Sequence, residues 1–136
     1  MVELDEGFYA VKAFKGNATF VDANDICKYE NGCLPVISSW DDHQRICIHG
    51  TSWLNMRYKI DRAGQQRVEV NHKFKKFGWL PPVTIANDTD DALVVVQKLV
   101  QHNCKWNAQS INGQSPFICL QYIKRNYNKK EFLKIP

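Results

Sequence analysis

The residues with most chemistry to offer in this 136-residue chain are five cysteines (Cys27, Cys33, Cys47, Cys104, Cys119) and four histidines (His43, His49, His72, His102). A zinc site would draw them into Cys-x-x-Cys pairs or closely spaced Cys and His ligands, and no such spacing occurs. His102 and Cys104 stand two residues apart, but a nucleophilic cysteine needs a base that a third group orients, and no such group is evident beside them. A Gly-x-Ser-x-Gly elbow, a Gly-rich phosphate loop and a His-Glu-x-x-His pair are all missing. The chain is therefore not expected to be an enzyme. Disulfides are the better use of the cysteines, which points to an oxidising compartment. Their odd number leaves at least one free or paired between chains.

Three other groups of residues bear on binding. Asp88, Asp90 and Asp91 are weak candidates for a cation site, and a solvated turn is the plainer reading. Asn17-Ala18-Thr19 and Asn87-Asp88-Thr89 are acceptor sequences for N-glycosylation at Asn17 and Asn87 in a secreted glycoprotein. The stretch RVEVNHKFKKFGW, residues 67–79, interleaves Arg67, His72, Lys73, Lys75 and Lys76 with Phe74, Phe77 and Trp79. Aromatic side chains with cations between them suit a protein partner. They also suit a sulfated or otherwise anionic glycan, through charge and stacking. Against both stands the alternative that Phe77 and Trp79 pack beneath their own loop while the lysines are merely solvated.

Charge narrows the partners. The net charge is +4, and the end segment YIKRNYNKKEFLKIP carries all of it: Lys124, Arg125, Lys129, Lys130 and Lys134 against Glu131. The remaining residues are neutral, with 13 basic and 13 acidic side chains. Nucleic acid is therefore a poor fit for the domain. Residues 1–122 read as one domain and 123–136 as a basic tail or linker. No apolar run approaches the ~20 residues of a membrane span, so direct membrane insertion is not expected. The opening MVELDEG is acidic and lacks an apolar segment, so it does not read as a secretory signal. The chain is then either cytosolic or a piece of a longer secreted or membrane protein, and the cysteines favour the second.

The elements that must position these residues follow from patterning. TFVDANDICKY (19–29) reads as a helix, with Thr19 as N-cap, Asp22 three residues on, and Phe20, Ala23 and Cys27 along one face. Asn31-Gly32 stops it. CLPVI (33–37) is a short strand candidate. SWDDHQRICI (39–48) is a second helix capped by Ser39, with Trp40 and Ile46 expected inward. TSWLNMRY (51–58) is strand-like. Residues 59–91 read as a long irregular loop region punctuated by Gly64, Gly78, Pro81 and Pro82. ALVVVQ, CKWNA and SPFICLQ close the chain as strands. The class is α+β.

This order of pieces resembles a C-type lectin-like domain over roughly residues 7–122. CKYENGCLPVI is similar to the family's segment of cysteine, glycine and Leu-x-x-Ile, with Cys27, Gly32, Leu34 and Ile37 in place. SSWDDHQRI resembles its second helix, and WLNM (53–56) stands for its Trp-Ile-Gly-Leu strand. GWLPP (78–82) looks like its Trp-x-x-Gly-x-Pro region, WNA (106–108) replaces Trp-Asn-Asp, and PFIC (116–119) replaces Phe-Ile-Cys. The resemblance implies two helices with small antiparallel sheets and a long irregular loop. It also implies an extracellular setting in a secreted or receptor protein, and a disulfide between Cys27 and Cys119.

The departures carry the function. The family's second disulfide would place cysteines near Val95–Gln97 and near Ile111, and neither region has one. Cys33, Cys47 and Cys104 are left over; spacing does not fix a substitute bridge, and Cys33 with Cys47 is the working pair. Sugar-binding relatives hold calcium with a Glu-Pro-Asn or Gln-Pro-Asp triplet and with Trp-Asn-Asp. Here LPPVTI (80–85) offers only Thr84, and Ala108 replaces the aspartate, so only Asn107 survives. Calcium takes 6–8 oxygen ligands. No calcium or other cofactor is therefore expected. The resulting expectation is a calcium-independent recognition domain that binds a protein ligand or receptor by its long-loop face. The alternatives are a lectin for anionic glycans and a structural domain that assembles a larger ectodomain.

Overall fold

The computed structural model describes residues 1–60, 63–64, 66–70, 73–75, 83–85, 93–100 and 103–125. In chain order these form β1 (Val2–Leu4), β2 (Gly7–Ala18), α1 (Phe20–Tyr29), α2 (Trp40–Cys47), β3 (Ser52–Ile60), β4 (Gln66–Val70), β5 (Lys73–Lys75), β6 (Val83–Ile85), β7 (Leu93–Val100), β8 (Asn103–Ser110) and β9 (Ser115–Arg125). The two ends of the described chain share an antiparallel sheet of order β1-β2-β9, and the middle builds a six-stranded sheet of order β5-β4-β3-β7-β8-β6. Every pairing in the larger sheet is antiparallel except that of β6 with β8.

Both helices begin where an oxygen-bearing side chain can cap them. Thr19 Oγ1 accepts from the Asp22 amide at 3.2 Å, and Ser39 Oγ accepts from the Asp42 amide at 3.1 Å. Helix α1 buries Phe20, Ala23 and Cys27, the face its spacing implies. It stops because Asn31 takes a left-handed conformation (φ 60°), which asparagine tolerates better than most residues. Gly32 then passes directly over β9: a Cβ there would lie 2.8 Å from the Leu120 carbonyl oxygen. Since backbone blocks that space, Gly32→Ala is expected to destabilise the domain by about 1–3 kcal/mol, the usual cost of overpacking. A urea titration of the two proteins checks it.

Two buried clusters make up the core. One lies under α2 and holds Ile46, Leu54, Met56, Val95, Trp106 and Leu120 among its members. The other lies under α1 and includes Phe20, Leu34, Trp53, Val96 and Phe117. Successive residues of a strand face opposite ways. Val94 and Val96 therefore enter the second cluster while Val95 enters the first, and β9 divides Phe117 and Cys119 from Ile118 and Leu120 in the same way. These strands are apolar on consecutive residues because they are buried on both faces.

The structure departs from the sequence expectations at several places. Residues 33–37 are not a strand. Cys33 alone pairs, exchanging backbone hydrogen bonds with Leu120 at 2.9 and 2.8 Å. Pro35 has no N–H to continue a ladder, and Leu34 and Ile37 are buried in different clusters. Trp40 is 48% exposed. The inward stripe of α2 is Asp42, His43, Ile46 and Cys47; Trp40, at the first residue of the helix, leans on His43 at 5.3 Å between ring centroids. The span 59–91 is not wholly irregular, since it contains the end of β3 and all of β4, β5 and β6. Val68 is buried and Val70 packs on the core, with Glu69 between them, which is a short strand alternation. Strands β1 and β2 had no counterpart in the sequence reading. Strand β9 continues past Tyr122 because Lys124 and Arg125 pair with Phe8 and Gly7; residues 126–136 lie outside the described residues.

Candidate functional site

The described part of the basic and aromatic segment, residues 67–70 and 73–75, falls at the edge of the six-stranded sheet. Strand β4 pairs with β3 (Glu69 opposite Arg57, Arg67 opposite Lys59), and β5 pairs with β4 (Phe74 opposite Glu69, Lys73 opposite Val70, Lys75 opposite Val68). Among the described strands β5 is the last on that side, so one row of its backbone groups has no strand partner there. A sheet edge of this kind is a template for pairing with another chain unless its charges prevent it. The paired segments carry Arg57, Lys59, Arg67, Lys73 and Lys75, with Glu69 as the one acidic residue. Lys59 and Glu69 form an ion pair at 3.4 Å. Arg67, Lys73, Phe74 and Lys75 are thus brought onto one hairpin. His72, Lys76, Phe77 and Trp79 lie outside the described residues, as do Asn87 and the weak metal candidates Asp88, Asp90 and Asp91. Asn17 is exposed near the end of β2, where the pairing with β9 shifts register between Phe14 and Ala18.

At the other side of the same sheet, β6 runs parallel to β8, with Val83, Thr84 and Ile85 opposite Trp106, Asn107 and Ala108. These are the segments in which calcium ligands are sought in the family that the sequence resembles. Ala108 is fully buried in the core. In the amide orientation that satisfies both its atoms, Asn107 accepts from Lys98 Nζ at 3.1 Å and donates to the Trp106 carbonyl at 3.3 Å. The surviving amide oxygen therefore meets an ammonium group. Among the described residues no three His, Cys, Asp or Glu side chains converge as metal ligands do.

Two disulfides hold this frame. Cys27 on α1 is joined to Cys119 on β9, with Cα atoms 5.2 Å apart, the pair that the sequence resemblance implies. Cys47, the last residue of α2, is joined to Cys104 on β8 at a Cα separation of 6.1 Å. The working pair Cys33 with Cys47 is therefore corrected. Cys33 is held at β9 by its bonds to Leu120, whereas α2 packs across β7 and β8 and delivers Cys47 to β8. Sequence spacing carried no signal for this, because the bridge joins elements that meet only through the fold. Cys33 is in neither disulfide and is exposed, and desolvation by its neighbours pushes its thiol up from the ordinary value.

No family model and no curated protein matches the sequence. Solved structures do match in fold. The C-type lectin domain of murine dendritic cell inhibitory receptor 2, solved in complex with an N-glycan, is 11% identical, with a TM-score of 0.62 over 85% of this chain and 91% of that one. An antagonist of a collagen-receptor integrin is 12% identical, with a TM-score of 0.56 over 89% and 95%. A calcium-independent type II antifreeze protein is 14% identical, with a TM-score of 0.55 over 85% and 88%. At such identities the likeness concerns the fold alone.

Proposed function

We propose that this chain, whose fold is that of the C-type lectin-like domains, is an extracellular recognition domain that binds a protein partner without calcium through the β4–β5 edge and the loops around it. It is not an enzyme in this reading. The observation that supports the calcium-independent part is the contact of Asn107 with Lys98 Nζ beside a buried Ala108: the amide oxygen is used by an ammonium group, and the neighbouring position offers no carboxylate. The neighbours are binding domains of several kinds, and two disulfides in a chain of this size suit an oxidising compartment. No helix among the described residues is long and apolar enough to cross a membrane.

Calcium is accordingly expected to leave the melting temperature unchanged between chelator and millimolar calcium. A ligand at 100 times its dissociation constant would add about 2.7 kcal/mol and raise it visibly. A clear rise would restore Asp88, Asp90 and Asp91 as a cation site.

The anionic-glycan reading is favoured by one feature, the five cationic residues (Arg57, Lys59, Arg67, Lys73 and Lys75) against one carboxylate on the strands β3 to β5. Replacing Lys73, Lys75 and Lys76 together by alanine separates the two. A protein partner held mainly by an aromatic anchor should lose little affinity and depend modestly on salt. A sulfated glycan should lose most of its affinity, and its binding to the unaltered domain should fall steeply as salt screens the charges. Dominance of the lysine set would replace the protein reading with the glycan one.

A further inference from the structure

Strand β5 is the last described strand on one side of the six-stranded sheet, and its residues, Lys73, Phe74 and Lys75, decide what could extend it. In an antiparallel ladder, directly opposed residues belong to the same face of the sheet. Positions 73 and 75 therefore share the face of Val70 and Val68, both of which meet the core, while position 74 shares the face of Glu69 and Arg57. The outermost strand thus alternates cation, aromatic and cation along its length. The one carboxylate of β3, β4 and β5 is that of Glu69, and Lys59 engages it at 3.4 Å. These strands hold no other acidic residue to set against Lys73 and Lys75.

Lysine on an edge strand guards against pairing with like strands. A second copy of β5 laid in register, in either direction, would set lysine against lysine, and like charges directly opposed destabilise a sheet. The same two residues admit a strand that brings carboxylates to those places. We propose, building on the hairpin as the recognition surface, that the partner is held by strand addition: an extended acidic segment of the partner protein pairs with the outer edge of β5, placing Asp or Glu opposite Lys73 and Lys75 and an apolar residue opposite Phe74.

Main-chain hydrogen bonds give such a joint its affinity, and alternate side chains give it its choice of strand. A strand as short as β5 offers few main-chain bonds, so the two charge pairs carry most of the discrimination. An aromatic residue opposed by an apolar one adds a favourable cross-strand pair between them. The captured segment is therefore acidic at every second residue and apolar in between. A sulfated glycan brings negative charge to the same lysines but has no polypeptide backbone with which to extend the sheet.

The probe is a short capped peptide alternating Glu and Val, titrated into the whole disulfide-bonded chain, with affinity and amide exchange both read by NMR. The peptide should bind and slow exchange along Lys73–Lys75. The same peptide N-methylated along its middle keeps every charge but loses its backbone donors, and should bind about tenfold more weakly or worse, the loss that one or two hydrogen bonds represent. Lys73→Glu combined with Lys75→Glu should reverse the choice, so that the variant takes a Lys–Val peptide and rejects the Glu–Val one. Equal binding of the methylated peptide, unchanged exchange along β5, or no binding of the plain peptide overturns strand addition. Protection of these amides by a heparin oligosaccharide but not by the peptide would do the same and assign the lysines to a glycan. If the double variant does not fold, the two peptides on the unaltered chain still decide. Failure of the hairpin reading itself looks different: full affinity of Phe74→Ala for a captured protein partner.

Discussion

Replacing Cys27 and Cys119 together by alanine is expected to remove about 4–5 kcal/mol of stability, the value that the chain-entropy model gives for closing a loop of this size. The two residues are separated by 92 positions, so the bridge restrains most of the unfolded chain. It also fastens α1 to β9, and through β9 to β2. A domain has only ~5–15 kcal/mol in all, so the double variant should be largely unfolded or melt far below the parent. Denaturant titrations under non-reducing conditions would measure the loss. A change below about 1 kcal/mol would mean that the bridge only decorates contacts already sufficient by themselves.

The second large effect belongs to Trp53. It is fully buried, its ring meets Phe20 edge-on at 5.9 Å, and its Nε1 donates to the Ala18 carbonyl at 2.8 Å. One side chain thus joins β3 to α1 and to the end of β2. Trp53→Ala is expected to cost about 3–5 kcal/mol, as large-to-small changes at buried aromatics do. Trp53→Phe keeps most of the apolar volume but leaves the Ala18 carbonyl without its donor, and should cost about 1–3 kcal/mol. Equal losses in the two variants would show that the hydrogen bond, and not the packing, accounts for the cost.

Trp53 also indicates what could be read in advance. The helices were legible because their signals are local: Thr19 and Ser39 cap, Asn31 ends α1, and Phe20, Ala23 and Cys27 share a face. The strands β7 and β9 were legible as apolar runs. What escaped was set by distant contacts. Pro35 stops a strand after Cys33 has paired with Leu120. Short β4 and β5 are strands because β3 and the core receive them, with only Val68 and Val70 as a local sign. Cys47 meets Cys104 because α2 lies across β8, and nothing in the intervening residues announces it. In the candidate site, the chemistry of Arg67, Lys73, Phe74 and Lys75 was visible as composition, but their gathering on a sheet edge was not. Lys98 was missed altogether; its place near Asn107 depends on the pairing of β7 with β8.

Calcium-independent recognition by the hairpin face, as proposed, is open to a single affinity measurement. A partner captured from a panel of ectodomains is titrated with the domain and with Phe74→Ala, both in excess chelator. The unaltered domain should bind as tightly as in millimolar calcium, and Phe74→Ala should weaken binding by more than ~1 kcal/mol, about fivefold or more, as an interface anchor does. Loss of binding in chelator, or full affinity in a correctly folded Phe74→Ala protein, would contradict it.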